Sequence, residues 1–294
     1  MAQTAVLTLL IGLVFTFFSG AVQTRLRGGF QRRPALVWLL PVVLTGIFTK
    51  AALVAGVGSL PLSAAMLAYT VSPTLCAFLQ GTEAKSKPGG LDFGAILLLW
   101  LPLEFSAGAR LVPRPAQGFL HSVAYGIAIL LGLTLFLCFR GMSGMKYNLP
   151  RRTSDWRLPA VAFLITAPIL IGVGIPIGFI PPPHLPTVPA ARMVSAVGLI
   201  FAGTALPEEI LFRALIQNLM MQRWGENTRT LLAAALIFGS AHLDNGPQPL
   251  PNWRYMILAT IAGAAYGKVF QKSSTVVSSA LLHTVVDWTK HYFF

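Results

Sequence analysis

Acidic residues are scarce in this chain: nine Asp and Glu serve 294 residues, against 22 Lys and Arg. Charged residues of both signs make up only 11%, too few to cover the surface of a soluble domain of this size. There are two cysteines, Cys76 and Cys138, without metal-type spacing, so neither a disulfide framework nor a cysteine zinc site organises the fold. They are expected to be buried small hydrophobes. No internal repeat, glycine-rich phosphate loop or His-Glu-x-x-His helix occurs, which removes solenoids, P-loop nucleotide binders and the common zinc proteases.

What the chain has is apolar length. Hydrophobic residues make up 55% and the mean hydropathy is +0.69, values of a polytopic membrane protein. Apolar segments run at 4–22, 35–57, 62–80, 91–106, 119–139, 158–180, 193–221, 229–243, 253–271 and 274–293. The expected fold is all-α, a transmembrane helical bundle of eight to ten spans, each needing about 20 residues. The first segment lacks a basic flank and a small-residue cleavage site, so it is expected to be a retained helix.

The net charge of +13 would suggest nucleic acid in a soluble protein; here the bases lie in loops between apolar segments, so no nucleic-acid partner is expected. With the N-terminus outside and ten crossings, fifteen bases fall on inner loops, Lys85 among them, and five on the outside, Arg110, Arg114, Arg192, Arg254 and Lys290. The polar stretch from Arg140 to Arg157 divides an N-terminal group of about five helices (1–157), with no assigned function, from a C-terminal domain (158–294) that carries every motif.

The chain is organised around Pro207-Glu208-Glu209-Ile210-Leu211-Phe212-Arg213, two carboxylates and an arginine in an apolar segment. Each charge at the bilayer centre costs about 2.5–3.5 kcal/mol, so the cluster requires partners, water or a use. Glu209 and Arg213 stand four apart and share a helix face, while Glu208 points about 100° away from Glu209. Pro207 lacks an N–H and is expected to kink the helix before the acids. Downstream, Phe238-Gly239-Ser240-Ala241-His242 and His283-Thr284-Val285-Val286-Asp287 place histidines in apolar helices, the second with an aspartate one turn on. Asp244 and Asn245, in the break after His242, are candidates for a cavity mouth, and His121, near a membrane boundary, and His291, near the C-terminus, read as surface contacts.

Glu208-Glu209-x-x-x-Arg213, Phe238-x-x-x-His242 and His283-x-x-x-Asp287, in that order on successive apolar helices, resemble the CAAX protease and bacteriocin-processing (CPBP, or Abi) family of intramembrane endopeptidases, which includes the type 2 CAAX prenyl proteases. The resemblance covers about Leu158 to Phe294. It implies that Glu208, helped by His242, activates water, and that His283 and Asp287 stabilise the oxyanion. The prenyl proteases usually have asparagine where this chain has Asp287. An ionised aspartate cannot donate a hydrogen bond, so Asp287 is either protonated or orients His283 or a water instead. The resemblance implies a multi-pass protein, expected in a bacterial cytoplasmic membrane, with membrane lipid and a protein or peptide substrate as partners.

The residues themselves agree on which glutamate is the base. Glu209, within reach of Arg213, is a supporting residue, and Glu208 has a like charge beside it and partial desolvation to suit it to general-base work. Metal-free catalysis with no cofactor is expected. Zinc on Glu208, His242 and His283 is the alternative. The rival functions are a proton-coupled transporter, which also uses intramembrane carboxylates and broken helices, and an inactive membrane scaffold. The three motif helices are expected to bring Glu208, His242, His283 and Asp287 to one polar cavity, at depths of about 15–20 Å in a hydrocarbon core of about 30 Å.

Overall fold

The computed structural model describes residues 1–82, 87–104, 117–246 and 249–294, which form 78% helix and, among the described residues, no strand. Lys85, Arg110, Arg114 and Pro247 lie outside the described residues. The chain divides into two compact units, Met1–Met145 and Lys146–Phe294.

The first unit contains α1 (Ala2–Thr16), α2 (Gly20–Arg32), α3 (Leu39–Val54, preceded by a 3₁₀ turn at Pro34–Trp38), α4 (Leu60–Gln80), α5 (Gly90–Glu104) and α6 (Gln117–Gly132), which continues with π-helical winding through Leu133–Phe139. The expected first span, 4–22, does not form as one helix. It breaks at 17–19, and α1 and α2 diverge by 84°. The reason is polarity: α2 carries Arg25, Arg27 and Arg32 and cannot extend α1 through hydrocarbon. A buried pair not anticipated from sequence holds α5 to the end of α6: Arg140 Nε donates to Asp92 Oδ1 at 2.9 Å, and its Nη1 donates to the carbonyls of Gln80 and Gly81. Cys138 is buried and Cys76 half-buried, both as free thiols.

The second unit contains α7 (Thr153–Gly174), α8 (Ala190–Trp224, assembled from Ala190–Ile200, Phe201–Ala205, Leu206–Glu209, Ile210–Gln217 and Asn218–Trp224), α9 (Thr228–Ser240), α10 (Trp253–Lys272) and α11 (Val276–Phe293). Local chemistry sets the starts. Asn227, Asn252 and Thr275 each accept, through the side chain, a backbone N–H of the first turn that would otherwise be orphaned. Gly225, at φ 89°, closes α8 in a conformation that a side chain would strain.

Five described helices are long and apolar enough to cross a membrane, Pro34–Val54, Leu60–Gln80, Gly118–Phe139, Thr153–Gly174 and Ala190–Trp224, or six if the bent α1–α2 pair counts as one. These make the protein an integral membrane protein. The shortfall from eight to ten has a cause in composition: α9 has only 13 residues, and α10 and α11 carry polar residues that lower their hydropathy. The charge count over ten crossings loses its premise with them.

Helices α9 and α10 approach closely because glycines line their contact. A Cβ on Gly239 would collide with the Thr260 hydroxyl and lie 2.7 Å from the Met256 carbonyl oxygen; one on Gly263 would lie 2.9 Å from the Phe238 ring. Gly239→Leu is therefore expected to separate the helices and lower the thermal midpoint in detergent by several degrees, and an unchanged midpoint would contradict this packing.

The segment before α7 fixes the α10–α11 turn. Lys146 Nζ donates to the carbonyls of Phe270 (2.7 Å), Gln271 (3.0 Å) and Ser273 (2.9 Å), capping α10. Burial lowers the pKa of Lys146 from the usual lysine value, with Glu226 and Asp155 pulling the other way. Asp155 accepts from the Ser274 hydroxyl at 2.6 Å and from its N–H at 2.9 Å, and the Ser278 hydroxyl donates to the Asp155 carbonyl. The start of α11, the helix that carries His283 and Asp287, is thereby held to the start of α7.

Candidate functional site

Helix α8 runs through the acids without breaking. In a regular helix the ring of Pro207 would crowd the carbonyl of Gly203 and its missing N–H would leave that carbonyl unbonded. Here the winding widens to π-helical over Phe201–Ala205, before the proline, and again over Ile210–Gln217, after the acids. The wider turns flank the proline and accommodate its ring, and such insertions mark many functional helices.

The two glutamates face different surroundings. Glu209 and Arg213 are fully buried, and Arg213 Nε donates to Glu209 Oε2 at 3.1 Å. The terminal nitrogens of Arg213 have no hydrogen-bond acceptor among the described residues; the guanidinium lies 4.7 Å from the Phe238 ring centre and 5.9 Å from that of Tyr266. Glu209 also reaches across to α11, where His283 Nδ1 lies 3.2 Å from its Oε1. Glu208, one residue earlier, faces a cavity and keeps about a fifth of its side chain accessible.

His283 is the hub. Its Nδ1 meets Glu209, and its Nε2 lies 3.4 Å from Asp287 Oδ2 and 3.9 Å from Glu208 Oε2. An imidazole faced by carboxylates on both nitrogens donates to both only as the imidazolium. The Tyr266 ring stacks on it at 4.6 Å and 21°, which fixes its plane.

His242 stands just past the end of α9, in a turn, and not inside a helix to residue 243 as the apolar run implied. Its Nδ1 lies 2.9 Å from the carbonyl oxygen of Phe238. A carbonyl only accepts, so Nδ1 carries a proton, and in the neutral ring Nε2 keeps its lone pair. Tyr255 packs on this ring at 4.5 Å, and Phe238 touches both imidazoles, at 4.8 Å from His242 and 5.8 Å from His283.

Glu208, His242, His283 and Asp287 all line one cavity of about 110 Å³, enough for several water molecules. Its remaining wall is mostly apolar, with Phe163 and Leu170 from α7 and Leu258 and Ala262 from α10. Glu209 and Arg213 stand behind the wall. Asp244 and Asn245 are not part of it; Asn245 is spent on the turn, donating to the Ala241 carbonyl and accepting from Asn252. Lys290, counted from sequence only among the outer-loop bases, lines the cavity while remaining exposed, and Tyr255 and Tyr266 line it too. A signal for Lys290 existed in its spacing: His283, Asp287 and Lys290 recur at i, i+4 and i+7 on one face of α11.

Among the described residues no three His, Cys, Asp or Glu groups are placed to hold a metal ion. Both nitrogens of His283 face carboxylates, while His242 keeps Nε2 open with Nδ1 on the Phe238 carbonyl.

Residues 190–289 match the family described as type II CAAX prenyl endopeptidase Rce1-like. No curated protein and no solved structure matches the chain. The stretch from Ala190 to Thr289, which holds all three motifs, is similar to the CAAX protease-like family of membrane proteases. The match is shorter than the expected 158–294: α7 lies outside it although it lines the cavity.

Proposed function

We propose that the second unit is an intramembrane endopeptidase that hydrolyses peptide bonds of membrane-associated proteins or peptides with a water activated by Glu208 and His242. The observation that carries this reading is the division of labour on one cavity wall. Two acceptors, the Glu208 carboxylate and His242 Nε2, face the same space as a histidine whose protons are held by Glu209 and Asp287. Asp287 orients His283, a role open to an ionised carboxylate. No step requires a metal or cofactor.

The apolar wall suits a substrate with aliphatic or aromatic side chains beside the scissile bond. Helices α10 and α11, with 20 and 18 residues, are long enough to cross as well; Tyr266, His283 and Thr284 are buried, and Tyr255 and Asp287 line the cavity, away from lipid. Counted with the five apolar helices they bring the crossings to seven, or to eight if the bent α1–α2 pair is one span.

The test is incubation of detergent-purified protein with a panel of apolar and membrane-derived peptides, with mass spectrometry of the products. New termini are expected; transport of protons in vesicles without any cleavage would favour the carrier instead. Cleavage is expected to survive dialysis against a strong chelator within about twofold, whereas loss restored by one equivalent of zinc would make the enzyme a metalloprotease.

A further inference from the structure

We propose that Lys290 donates the hydrogen bond that stabilises the negative charge developing on the substrate's carbonyl oxygen, an assignment that rests on the peptidase reading above. Hydrolysis requires a donor at that oxygen, and the site is rich in acceptors. Glu208 and Asp287 are carboxylates, and His242 presents a lone pair at Nε2 because Nδ1 is bound to the Phe238 carbonyl. Both nitrogens of His283 face carboxylates, at 3.2, 3.4 and 3.9 Å. Thr289, also on the wall, spends its hydroxyl on the Val285 carbonyl; Thr204, Tyr255 and Tyr266 carry hydroxyls there, neutral donors against which Lys290 is distinguished by its charge.

Lys290 is the ammonium on the cavity wall. It follows Asp287 by three residues and His283 by seven, so its stem rises from the face of α11 that carries the site. Its Nζ lies 4.5 Å from the centre of the Phe179 ring and 4.6 Å from that of Tyr255. Ring faces hold an ammonium without occupying its N–H groups, and no hydrogen-bond acceptor for it occurs among the described residues. The same Tyr255 ring packs on His242, so one aromatic side chain separates the ammonium from the histidine beside the water. Asp287, which cannot donate, thus sits on the stripe between a histidine that it orients and a lysine that can.

The step balances as follows in chemical terms. Water gives a proton to Glu208 while its oxygen bonds to the carbonyl carbon, and the π pair of the carbonyl moves onto oxygen, which accepts from the Lys290 ammonium. On collapse that pair re-forms the C=O bond, the C–N bond breaks, and the proton on Glu208 passes to the leaving nitrogen. Lys290 keeps its proton throughout and supplies charge and direction.

The experiment compares wild type, Lys290→Met, Lys290→Arg and Tyr255→Phe on the peptide that wild type cleaves fastest. Lys290→Met is expected to lower kcat about 10²–10³-fold with KM unchanged within about twofold, the loss reported for removing one oxyanion donor. Lys290→Arg, which keeps charge and donors, is expected to regain at least about tenfold, and Tyr255→Phe, which removes a neighbouring hydroxyl donor, to lose at least about tenfold less kcat than Lys290→Met. An undiminished kcat in Lys290→Met, a change confined to KM, a loss in Tyr255→Phe equal to that in Lys290→Met, or an equal loss in Lys290→Arg with a lowered thermal midpoint overturns the assignment. If wild type cleaves no peptide at all, the peptidase reading fails first and this assignment with it.

Discussion

Glu208→Gln is expected to lower peptide cleavage by about 10²–10⁴-fold while the protein folds and purifies normally. Glutamine matches the shape of glutamate and keeps an oxygen toward His283, but it cannot take a proton from water. Folding should not suffer, because Glu208 lies on a cavity wall with part of its side chain accessible, and the helix around it is held by Glu209 and Arg213. Thermal midpoints of the two proteins within a few degrees, together with lost product peptides, is the outcome that fits. Full activity in Glu208→Gln would remove the general base from the mechanism and shift the burden to His242.

Arg213→Ala is expected to act on stability far more than on any single step. The guanidinium is fully buried, and its removal leaves the Glu209 carboxylate with His283 as its remaining ionic partner; deleting one partner of a buried pair costs about 3–5 kcal/mol, and the remaining contact to His283 places the loss toward the lower figure. It also empties the space beside Phe238 and Tyr266. The measurements are yield in detergent and the thermal midpoint, and both should fall sharply. The double variant Arg213→Met with Glu209→Gln removes both charges and should recover part of the stability, since the two sites share one interaction. Its cleavage rate should stay low, because His283 Nδ1 would lose the carboxylate that holds it. Equal stability of wild type and Arg213→Ala would show that the pair contributes nothing to the fold.

Much of the site was legible in one dimension. Glu209 and Arg213 pair because four residues on a helix bring side chains to one face, and the wider winding over Ile210–Gln217 keeps them in contact. His283 and Asp287 pair by the same spacing. The second bond of Glu209, to His283, was not legible: 74 residues separate them, and no local pattern encodes which histidine meets which carboxylate. The cavity face of Lys290 was not legible for a related reason. A lysine near a helix end is exposed with or without a cavity beside it, and the rings next to it, Phe179 and Tyr255, arrive from other elements. The division of labour between the histidines likewise depends on the Phe238 carbonyl, whose proximity to His242 Nδ1 follows from the helix ending at Ser240.

By itself the sequence determined that this is an all-helical membrane protein with its rare acids concentrated in a C-terminal group of helices, because hydropathy and charge cost act residue by residue and need no fold to be read. It also determined the pairs set by helical period. The tertiary structure decided the rest: that α1 and α2 part at a sharp bend, that π-helical turns absorb Pro207, that Lys146 and Asp155 anchor the start of α11, and that Lys290 turns toward the cavity. The anchoring of α11 and the place of Lys290 depend on groups far apart in the chain meeting, while the bend and the π-helical turns are local geometries that residue-by-residue hydropathy does not resolve; which partner a buried polar group finds is a property of packing in three dimensions.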